Sequence, residues 1–473
     1  MSVKNARGST SALPSIVSPI APERWVVLTA GLGMFLSTLD TGIINVALPS
    51  LGQEFHTTAT STAWSVTLYL LTLSTTILIF GRLGDRYGQS RIFLGGLLVF
   101  LLGSTLCGFA FSIETLVLFR AIQGIGAAML QANAAALITT LVAPERRGKA
   151  IGILGVMIGL GPVLGPVAGG LLLSFLGWRW IFWINIPLCI LGLWGCRHLP
   201  TRSSSNKALS LDIPGNVVFA LGVLALLWGL AQWPAHGFAH LETLVPLLFA
   251  VACFVLLVIL EYRVADPLLD FRHILHSSLA VYLLTILAFG ATTAVAFLAP
   301  PYFLEGVLRL MPWQVGLISL SAPLGLALLA RVSGGLLQKY SASTLMEAGQ
   351  LIILVALGIL CAFQPTWSLL ILALLLLLYG VGGGIFLPAN IADIMASGAK
   401  ELQGTIGSIQ RMVQNVGIAL GTAIAAALMQ TSGVLNRAAL TDGFHWSWLF
   451  ATGVMFLCCV CMAGVLFSRK KGA

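Results

Sequence analysis

Charged residues are scarce in this sequence. Asp, Glu, Lys and Arg together make up 9% of its 473 residues, while hydrophobic residues make up 58%. Soluble globular domains carry about 25% charged residues. The shortage of charge therefore excludes an ordinary soluble domain and predicts a polytopic membrane protein.

The sequence also lacks the polar and apolar alternation that a membrane β-barrel requires. Its apolar stretches are continuous and rich in Leu and Ala, and only helices or closed barrels satisfy their backbone inside a bilayer. A helix needs about 20 mostly apolar residues to cross the hydrocarbon. Hydropathy then predicts fourteen helical spans: Trp25–Leu48, Thr62–Phe80, Ile92–Ala110, Thr115–Leu141, Ala150–Leu173, Trp180–Leu199, Ile213–Gln232, Leu244–Leu260, Leu279–Phe303, Pro312–Leu337, Leu345–Phe363, Ser368–Ala389, Ile406–Gln430 and Trp448–Phe467.

Targeting and catalytic signals are missing as well. Residues 1–24 have no basic segment followed by an apolar core and a cleavage site, so no cleaved signal peptide is expected. Neither HExxH nor GxSxG occurs. No catalytic residue and no metal site are therefore predicted, and a membrane-embedded enzyme is the weakest alternative. The eight cysteines lie in apolar spans, where free cysteine packs as a small hydrophobe.

The net charge of +9 is unevenly distributed between the predicted loops. With a cytoplasmic N-terminus, only Arg179, Arg309 and Arg437 fall outside. This asymmetry is the positive-inside rule, so the charge indicates orientation rather than nucleic-acid binding, and both termini are predicted to be cytoplasmic. The basic clusters on the inside are Arg82/Arg86/Arg91, Arg146/Arg147/Lys149, Arg197/Arg202/Lys207, Arg263/Arg272 and Arg469/Lys470/Lys471.

A weak internal repeat divides the chain. GRLGDRYG (Gly81–Gly88) and GGLLQKYS (Gly334–Ser341) share a glycine, a leucine, a basic residue and a tyrosine at an offset of 253. DTGIINVALP (Asp40–Pro49) and TTAVAFLAPP (Thr292–Pro301) lie at almost the same offset. Repeated six-helix halves with a site between them are a known transporter architecture. The predicted domains are a cytoplasmic tail (1–24), a six-helix bundle (25–199), a linker with two additional helices (200–275), and a six-helix bundle with a basic tail (276–473).

Two charged residues lie inside predicted spans of the first half. Asp40 interrupts the first span and Arg120 the fourth, and an ionisable residue inside a membrane is a functional-site hypothesis by default. Their depths are compatible with electrostatic communication inside a cavity, directly or through water. One alternative for Asp40 is a helix cap, and one for Arg120 is that it snorkels outward or braces backbone carbonyls.

The fifth span contains a doubled glycine and proline pattern, GPVLGPVAGG. Gly161, Gly165 and Gly169 share one helix face at spacing four, which permits close helix approach. Pro162 and Pro166 each remove a backbone donor and favour a bend. Gly170 completes the pattern. Packing alone is the alternative explanation.

The loop predicted between the second and third spans combines Gly81, Asp85, Arg86 and Gly88. Asp85 could accept hydrogen bonds from helix amides or pair with a neighbouring arginine at a tight turn, which suits a latch between helices. The alternative is a solvated charged loop.

These motifs resemble those of the major facilitator superfamily, specifically its fourteen-span drug:proton antiporter branch, which includes EmrB-type and QacA-type exporters. LDTGIINVALP resembles the first-helix signature of that branch, GRLGDRYG the superfamily loop motif, LFRAIQGIGAA the basic motif of the fourth helix, and GPVLGPVAGG the antiporter motif. GWRWIFWINIPL is similar to the start of the sixth helix in that branch. The resemblance implies an all-α major facilitator fold with two six-helix bundles and two inserted helices.

The resemblance also implies a function. Asp40 would carry the proton, Arg120 would take part in proton transfer and Asp85 would gate the cytoplasmic loop, in a multidrug exporter that works by alternating access. Some QacA-like members have further acids in the second, tenth and thirteenth spans, whereas this chain has Thr67 in the second and Arg411 in the thirteenth. A dication needs more than one buried acid, so lipophilic monocations or neutral amphiphiles are the predicted substrates.

Several residues are predicted to line the substrate cavity between the halves: Asn45, Trp64, Thr67, Tyr69, Gln123, Phe297, Asn390 and Gln414. Asp393 and Arg411 are predicted to form an ion pair at the inner side, with Arg331 as another possible partner of Asp393. The expected partners are protons, a small-molecule substrate and the bilayer of the inner membrane, around a monomer without a cofactor. Export of an endogenous lipid or metabolite and proton-coupled uptake remain alternatives.

Overall fold

Apolar helices account for most of the described structure. The computed structural model describes residues 23–200, 213–237, 239–262, 278–396, 403–430 and 437–471. Every element of regular secondary structure in these ranges is a helix. The predicted N-terminal tail, apart from its last two residues, and segments 201–212 and 263–277 of the predicted linker lie outside the described residues.

The helices follow one another in the order that the hydropathy predicts. They are α1 (Glu23–Glu54), α2 (Ala59–Tyr87), α3 (Gln89–Gly108), α4 (Ile113–Leu141), α5 (Pro144–Phe175), α6 (Trp180–Trp183), α7 (Asn185–Cys196), α8 (Ile213–His236), α9 (Leu241–Glu261), α10 (Leu279–Gly306), α11 (Pro312–Ser319), α12 (Ser321–Leu336), α13 (Ala342–Leu360), α14 (Leu369–Ala396), α15 (Gln403–Gln430) and α16 (Arg437–Lys471).

Thirteen helical segments in the described part of the chain are long and apolar enough to cross a membrane, and the shorter segment Trp180–Cys196 makes the fourteenth. This confirms the predicted all-helical fold class. The sixth span is broken between α6 and α7, because Pro187 has no amide hydrogen to donate to the preceding turn. The tenth span is divided into α11 and α12.

Capping residues define several helix ends. The Thr58 hydroxyl accepts a hydrogen bond from the Ser61 amide at 3.2 Å at the start of α2, and Ser112 forms a reciprocal capping box with Thr115 at the start of α4. Such side chains satisfy amides that have no partner within the helix. Between α2 and α3 the only connecting residue is Gly88, with φ +99°, a conformation that glycine adopts without steric cost.

The helices form two halves with an inserted pair between them in sequence. Helices α1–α7 pack together, as do α10–α16. The inserted helices α8 and α9 pack against each other, and α8 also contacts α2 and α15, one from each half. The assembly has two ends: the Pro49 end, where α1 passes into α2, and the Gly88 end, where α2 passes into α3.

The two halves meet at the Pro49 end. Among the described residues, four hydrogen bonds join the halves, and all four lie there: Ser50–Glu305, Thr60–Gln430, Thr62–Tyr302 and Ser174–Trp313. Between side chains that the structure describes, no hydrogen bond or ion pair joins the halves at the Gly88 end. The Pro49 end is therefore closed by direct contact.

Candidate functional site

Asp40 lies in the middle of α1 and its side chain is only 2% exposed. Its Oδ1 accepts hydrogen bonds from Gln123 Nε2 at 2.9 Å and from Asn185 Nδ2 at 3.0 Å. Its Oδ2 accepts from Arg120 Nη1 and forms an ion pair with it. Donors therefore engage both oxygens, an arrangement that fits an ionised carboxylate, because that group only accepts hydrogen bonds.

Arg120 is fully buried beside it, with 0% exposure. Its Nε donates to the Ser65 carbonyl oxygen at 2.9 Å, and Nη1 also donates to Gln123 Oε1 at 2.8 Å. The guanidinium carbon lies 4.1 Å from the centre of the Tyr69 ring, a favourable cation–π contact. The snorkelling alternative is therefore wrong, although Arg120 does brace one carbonyl. The proposed role of the pair in proton coupling stays a prediction.

Two amides and one hydroxyl fix the geometry of the ion pair. Gln123 Nε2 and Asn185 Nδ2 both donate to Ser104 Oγ, at 2.6 and 3.0 Å, as well as to Asp40. Neither Ser104 nor Asn185 was among the predicted site residues. Asn185 had a usable signal, because it is an amide inside the apolar stretch WINIPL. Ser104 had none, because an isolated serine in a span is unremarkable.

The whole cluster lies inside the N-terminal half. The partners of Asp40 come from α4 and α7, and the surrounding groups come from α2 and α3. Asp40 and Arg120 are therefore in direct contact in a closed pocket, and not exposed in a cavity between the halves. Breaking a buried ion pair by removing one partner costs about 3–5 kcal/mol, because the remaining charge is left uncompensated.

The glycine face predicted on α5 packs against α1 next to Asp40. A Cβ atom on Gly161 would lie 2.6 Å from the Leu39 amide nitrogen, and one on Gly165 would lie 2.7 Å from the Gly42 carbonyl carbon. Gly169 is similarly close to Ile43. Only glycine permits this approach, because real Cβ atoms do not come so near.

The same helix reaches the C-terminal half through its next turns. A Cβ atom on Gly170 would lie 2.5 Å from the Pro312 carbonyl oxygen, and one on Gly316 would lie 2.3 Å from the Pro166 carbonyl oxygen. The Trp313 amide donates to Ser174 Oγ at 3.2 Å. Pro162 is half-buried one turn before Pro166. Helix α5 thus joins the surroundings of Asp40 to α11.

Four predicted cavity residues have partners inside the N-terminal half or on the inserted pair. Tyr69 and Gln123 belong to the Asp40 cluster. Asn45 Nδ2 donates to the Thr41 carbonyl of its own helix at 2.8 Å. The Trp64 ring lies 5.8 Å from the Trp228 ring, so it packs on α8 rather than against the C-terminal half. This packing corrects the sequence-based assignment of Trp64 to the cavity, since the helix turns that side chain toward the inserted pair.

In the C-terminal half, Asn390 is fully buried in the core of the bundle. Its Nδ2 donates to the Tyr282 carbonyl at 3.0 Å and to the Thr285 hydroxyl at 3.1 Å. It therefore ties α14 to α10 instead of lining a cavity. Thr67 is buried, and Phe297 and Gln414 are half-buried, so their assignment to the cavity stays a prediction.

Thr292 occupies the position in α10 that the repeat matches to Asp40. Its hydroxyl lies 3.1 Å from the Tyr379 hydroxyl, and the Thr293 hydroxyl lies 3.0 Å from the same oxygen. Thr292 also donates to the Phe289 carbonyl at 3.1 Å. This polar cluster contains hydroxyl groups and no charge.

The loop motif is more helical than predicted, because α2 continues to Tyr87. A Cβ atom on Gly84 would lie 1.8 Å from Asn133 Oδ1, and a Cβ atom on Gly81 would lie 4.0 Å from Ala132, so α2 and α4 approach closely here. Arg86 is exposed and its guanidinium carbon lies 5.3 Å from the Tyr87 ring centre. The Asp85 side chain lies outside the described residues, and the latch stays a prediction.

Among the described side chains, the structure shows no ion pair between Asp393 and Arg411 where one was predicted. The Asp393 carboxylate accepts a hydrogen bond from the Ser343 hydroxyl at 2.6 Å, and the ion pairs of the described side chains do not include Arg411. Asp393 is turned toward α13, whereas Arg411 lies on α15. The side chain of Arg331, the other possible partner, is outside the described residues.

A bundle of fourteen apolar helical segments with a buried charged cluster defines an integral membrane transporter. The Major Facilitator Superfamily model matches residues 30–422 and 281–473. This chain belongs to that superfamily and is not an enzyme.

Curated relatives extend over nearly the whole chain. It is 34% identical over 478 residues to the puromycin resistance protein pur8 of Streptomyces alboniger, covering 96% of this chain and 93% of that protein. It is 31% identical over 460 residues to the riboflavin transporter RibZ of Clostridioides difficile (strain 630), covering 95% and 98%. The multidrug resistance protein B homolog of Mycobacterium tuberculosis (strain ATCC 25618 / H37Rv) is 30% identical over 412 residues, covering 85% of this chain and 76% of that protein.

Solved structures agree on the fold. The D-xylose-proton symporter superposes with a TM-score of 0.68 at 15% identity, covering 93% of this chain and 97% of that chain. Resistance proteins among the relatives fit the drug:proton antiporter branch named from the motifs.

Proposed function

We propose that this transporter exports lipophilic monocations or neutral amphiphiles in exchange for protons by alternating access. The observation that carries the proposal is the Asp40 cluster: a buried carboxylate whose hydrogen bonds all come from one half and whose ion-pair partner is Arg120. A proton bound by this carboxylate neutralises the charge that Arg120 pairs with, so protonation and the ion pair compete.

The proposed cycle uses that competition. A proton that reaches Asp40 replaces the ion pair with Arg120, and release of the proton restores it. Arg120 cannot lose its own proton, so the N-terminal half changes net charge by one with each event. With one such acid, one proton per cycle is the simplest stoichiometry.

Helix α5 is the proposed connection between this event and the movement of the halves. It packs without side chains on the turn of α1 that carries Asp40, and three of its later residues contact α11. A small shift of α1 therefore moves the α5–α11 contact at the Pro49 end. Rigid-body rocking of repeats is the usual route to alternating access.

We further propose that the Gly88 end faces the cytoplasm and that the protein acts as a monomer in the inner membrane. The basic clusters Arg82/Arg86/Arg91 and Arg146/Arg147/Lys149 support this orientation. With the Pro49 end closed, the structure then corresponds to the state that receives substrate from the cytoplasm.

The substrate class rests on the scarcity of buried acids and on the relatives. Asp40 is already paired with Arg120, which leaves little charge to compensate a dication. Similarity to a puromycin resistance protein and to a multidrug resistance homolog supports drug export. Similarity to a riboflavin transporter over 98% of that protein supports a second candidate, transport of one specific metabolite of flavin type.

Flux in proteoliposomes with an imposed proton gradient tests the proposal. Three compounds are offered in parallel: the monocation ethidium, the dication pentamidine, and riboflavin. Antiport moves substrate toward the acidic side, and we expect this for ethidium, with Asp40→Asn reducing uphill movement to background. Movement of riboflavin alone would favour the second candidate, and accumulation on the alkaline side would contradict antiport.

A further inference from the structure

A second buried acid lies at the contact between the two halves, far along the chain from Asp40. Glu305 is in the last turn of α10 and is 8% exposed. Hydropathy ended this span at Phe303, which left Glu305 in a predicted loop. The helix instead continues to Gly306 and carries the carboxyl group into the closed Pro49 end.

The carboxyl group has little hydrogen bonding there. Its Oε2 lies 3.4 Å from Ser50 Oγ on the opposite half, and its Oε1 has no hydrogen-bond partner within the described part of the chain. Buried carboxylates are normally paired with a cation or hydrogen-bonded on both oxygens. Glu305 is therefore poorly accommodated as an anion in this closed arrangement.

The neighbouring contacts between the halves are all neutral. Thr62 Oγ1 lies 2.7 Å from the Tyr302 hydroxyl, one turn before Glu305, and the Thr60 amide donates to Gln430 Oε1 at 3.3 Å. Apart from the Tyr302 phenol, no titratable group takes part in these contacts. Closing the Pro49 end thus buries one acid without any compensating charge from the other half.

No described cation forms an ion pair with Glu305. Glu54 on α1 pairs with Arg179 at 3.8 Å, and the His445 ring nitrogen bonds to the Phe363 carbonyl at 2.6 Å. The remaining titratable groups at this end are His56 after α1, and Tyr302, Arg309, Arg437 and Asp442 on α10, on α16 and in the loop after α10. The sequences of α11 and of the adjoining ends of α14 and α15 contain no charged residue.

We propose that Glu305 is a second proton-binding site, which holds a proton while the Pro49 end is closed and releases it when that end opens. Opening separates Glu305 from Ser50 and admits water, which stabilises the carboxylate. The proton returns to the side from which it came. Proton binding at Glu305 therefore makes closure of the Pro49 end depend on the pH on that side. It does not add to the number of protons that cross the membrane.

This inference rests on the proposed alternating access, but not on the role of Asp40. Linkage requires that acid favour the closed form, because that form binds the additional proton. For one linked proton the ratio of closed to open molecules changes by at most about tenfold per pH unit. Both features are measurable without any substrate.

The test is a pair of spin labels across the Pro49 end of the full chain in lipid nanodiscs. Labels are attached at Phe111→Cys and Thr366→Cys, exposed positions in the loops before α4 and before α14. Cys361, Cys459 and Cys461, which are the cysteines that are not fully buried, are replaced by serine. Distances are recorded from pH 5 to pH 9.

We expect the short distance at low pH and a growing long-distance population at high pH. Glu305→Gln should hold the short distance throughout, and Glu305→Asp should keep a pH response. Glu54→Gln, an exposed acid at the same end, should respond like the unsubstituted chain. A full response in Glu305→Gln, or none in the unsubstituted chain, would overturn the proposal.

Two further comparisons separate the proposals and guard against misfolding. Asp40→Asn should retain the pH response of the Pro49 end, even if its transport result contradicts the proposed function. If Glu305→Gln fails to fold, infrared difference spectra of Glu305→Asp replace it. In the closed form, a protonated-carboxyl band at a different frequency in Glu305→Asp than in the unsubstituted chain supports the site. The same band in both proteins overturns it.

Discussion

The first helices of the two halves are related by the repeat but contain different polar groups at matching positions. In α1, Asp40 is surrounded by one cation and two amides. In α10, Thr292 contacts the Tyr379 hydroxyl and its own backbone. Both clusters are buried and hydrogen-bonded, but only the first contains a carboxyl group.

This difference suggests a division of labour between similar scaffolds. Desolvation makes a buried charge costly, so a charge persists where partners from several helices converge on it. The N-terminal half supplies such partners from α4 and α7, whereas the C-terminal half fills the corresponding space with neutral hydroxyls. In the proposed mechanism, proton coupling belongs to the N-terminal half, and the C-terminal half moves against it.

The largest expected effect comes from removing the titratable group. Asp40→Asn keeps the shape of the side chain but cannot cycle a proton, so gradient-driven flux should fall to background while downhill exchange survives. Thr292→Val is the matched substitution in the other half and should leave the dependence of flux on the gradient intact. Uphill transport by Asp40→Asn at the unsubstituted rate would remove the distinction between the halves.

Substitutions of Arg120 test the buried ion pair of the N-terminal half through the stability of the protein. Arg120→Ala leaves Asp40 buried without its cation, and we expect a loss of about 3–5 kcal/mol in the free energy of unfolding. Arg120→Lys keeps the charge with a different hydrogen-bond geometry and should lose less stability and less transport. Thermal unfolding in detergent measures the loss of stability. Equal and mild effects of the two substitutions would argue against a buried pair.

The α1–α5 contact should transmit changes at Asp40. A methyl group on Gly165 would lie 2.7 Å from backbone atoms of Gly42, whereas one on Gly155 of the same helix meets nothing within 4 Å. We expect Gly165→Ala to destabilise the protein by about 1–3 kcal/mol through overpacking and to slow transport. Gly155→Ala is the control and should do neither. Similar transport rates for both variants would exclude a tight α1–α5 contact from the mechanism.

The smallest expected effect comes from replacing a buried amide, and it distinguishes a loss of stability from a loss of proton coupling. Gln123 and Asn390 are both fully buried amides, one beside Asp40 and one in the C-terminal core. Gln123→Leu and Asn390→Leu should each cost about 1–3 kcal/mol, because each leaves buried partners unsatisfied. Only Gln123→Leu should change the pH profile of flux. A changed profile in Asn390→Leu would mean that proton coupling is shared between the halves.

Much of the fold followed from hydropathy, because a helix that crosses a bilayer needs a long apolar run. The spans and the inserted pair were predictable, and so was the glycine face of α5. Helix ends were less so: α10 extends past Phe303 to Gly306, which brings Glu305 into the closed end. An acid near the end of a hydropathy segment gives no sign of whether it lies in a loop or in a contact.

Side-chain partners were the least predictable part of the site. The sequence placed Asp40 and Arg120 at compatible depths, but it could not show that Gln123, Ser104 and Asn185 converge on them from three helices. Helix rotation decides such contacts, and it depends on packing between helices. The same uncertainty explains Trp64, which faces Trp228 on α8, and Asp393, which faces Ser343 instead of Arg411.

Proton release on substrate binding tests the role of Asp40 most directly. Purified protein in weakly buffered detergent solution is mixed with the substrate that the flux panel identifies, and a pH-sensitive dye records the protons released. The unsubstituted chain should release protons, up to one for each substrate bound, while Asp40→Asn should bind substrate without release. The same release from Asp40→Asn would contradict the assignment of the coupled proton to the N-terminal half.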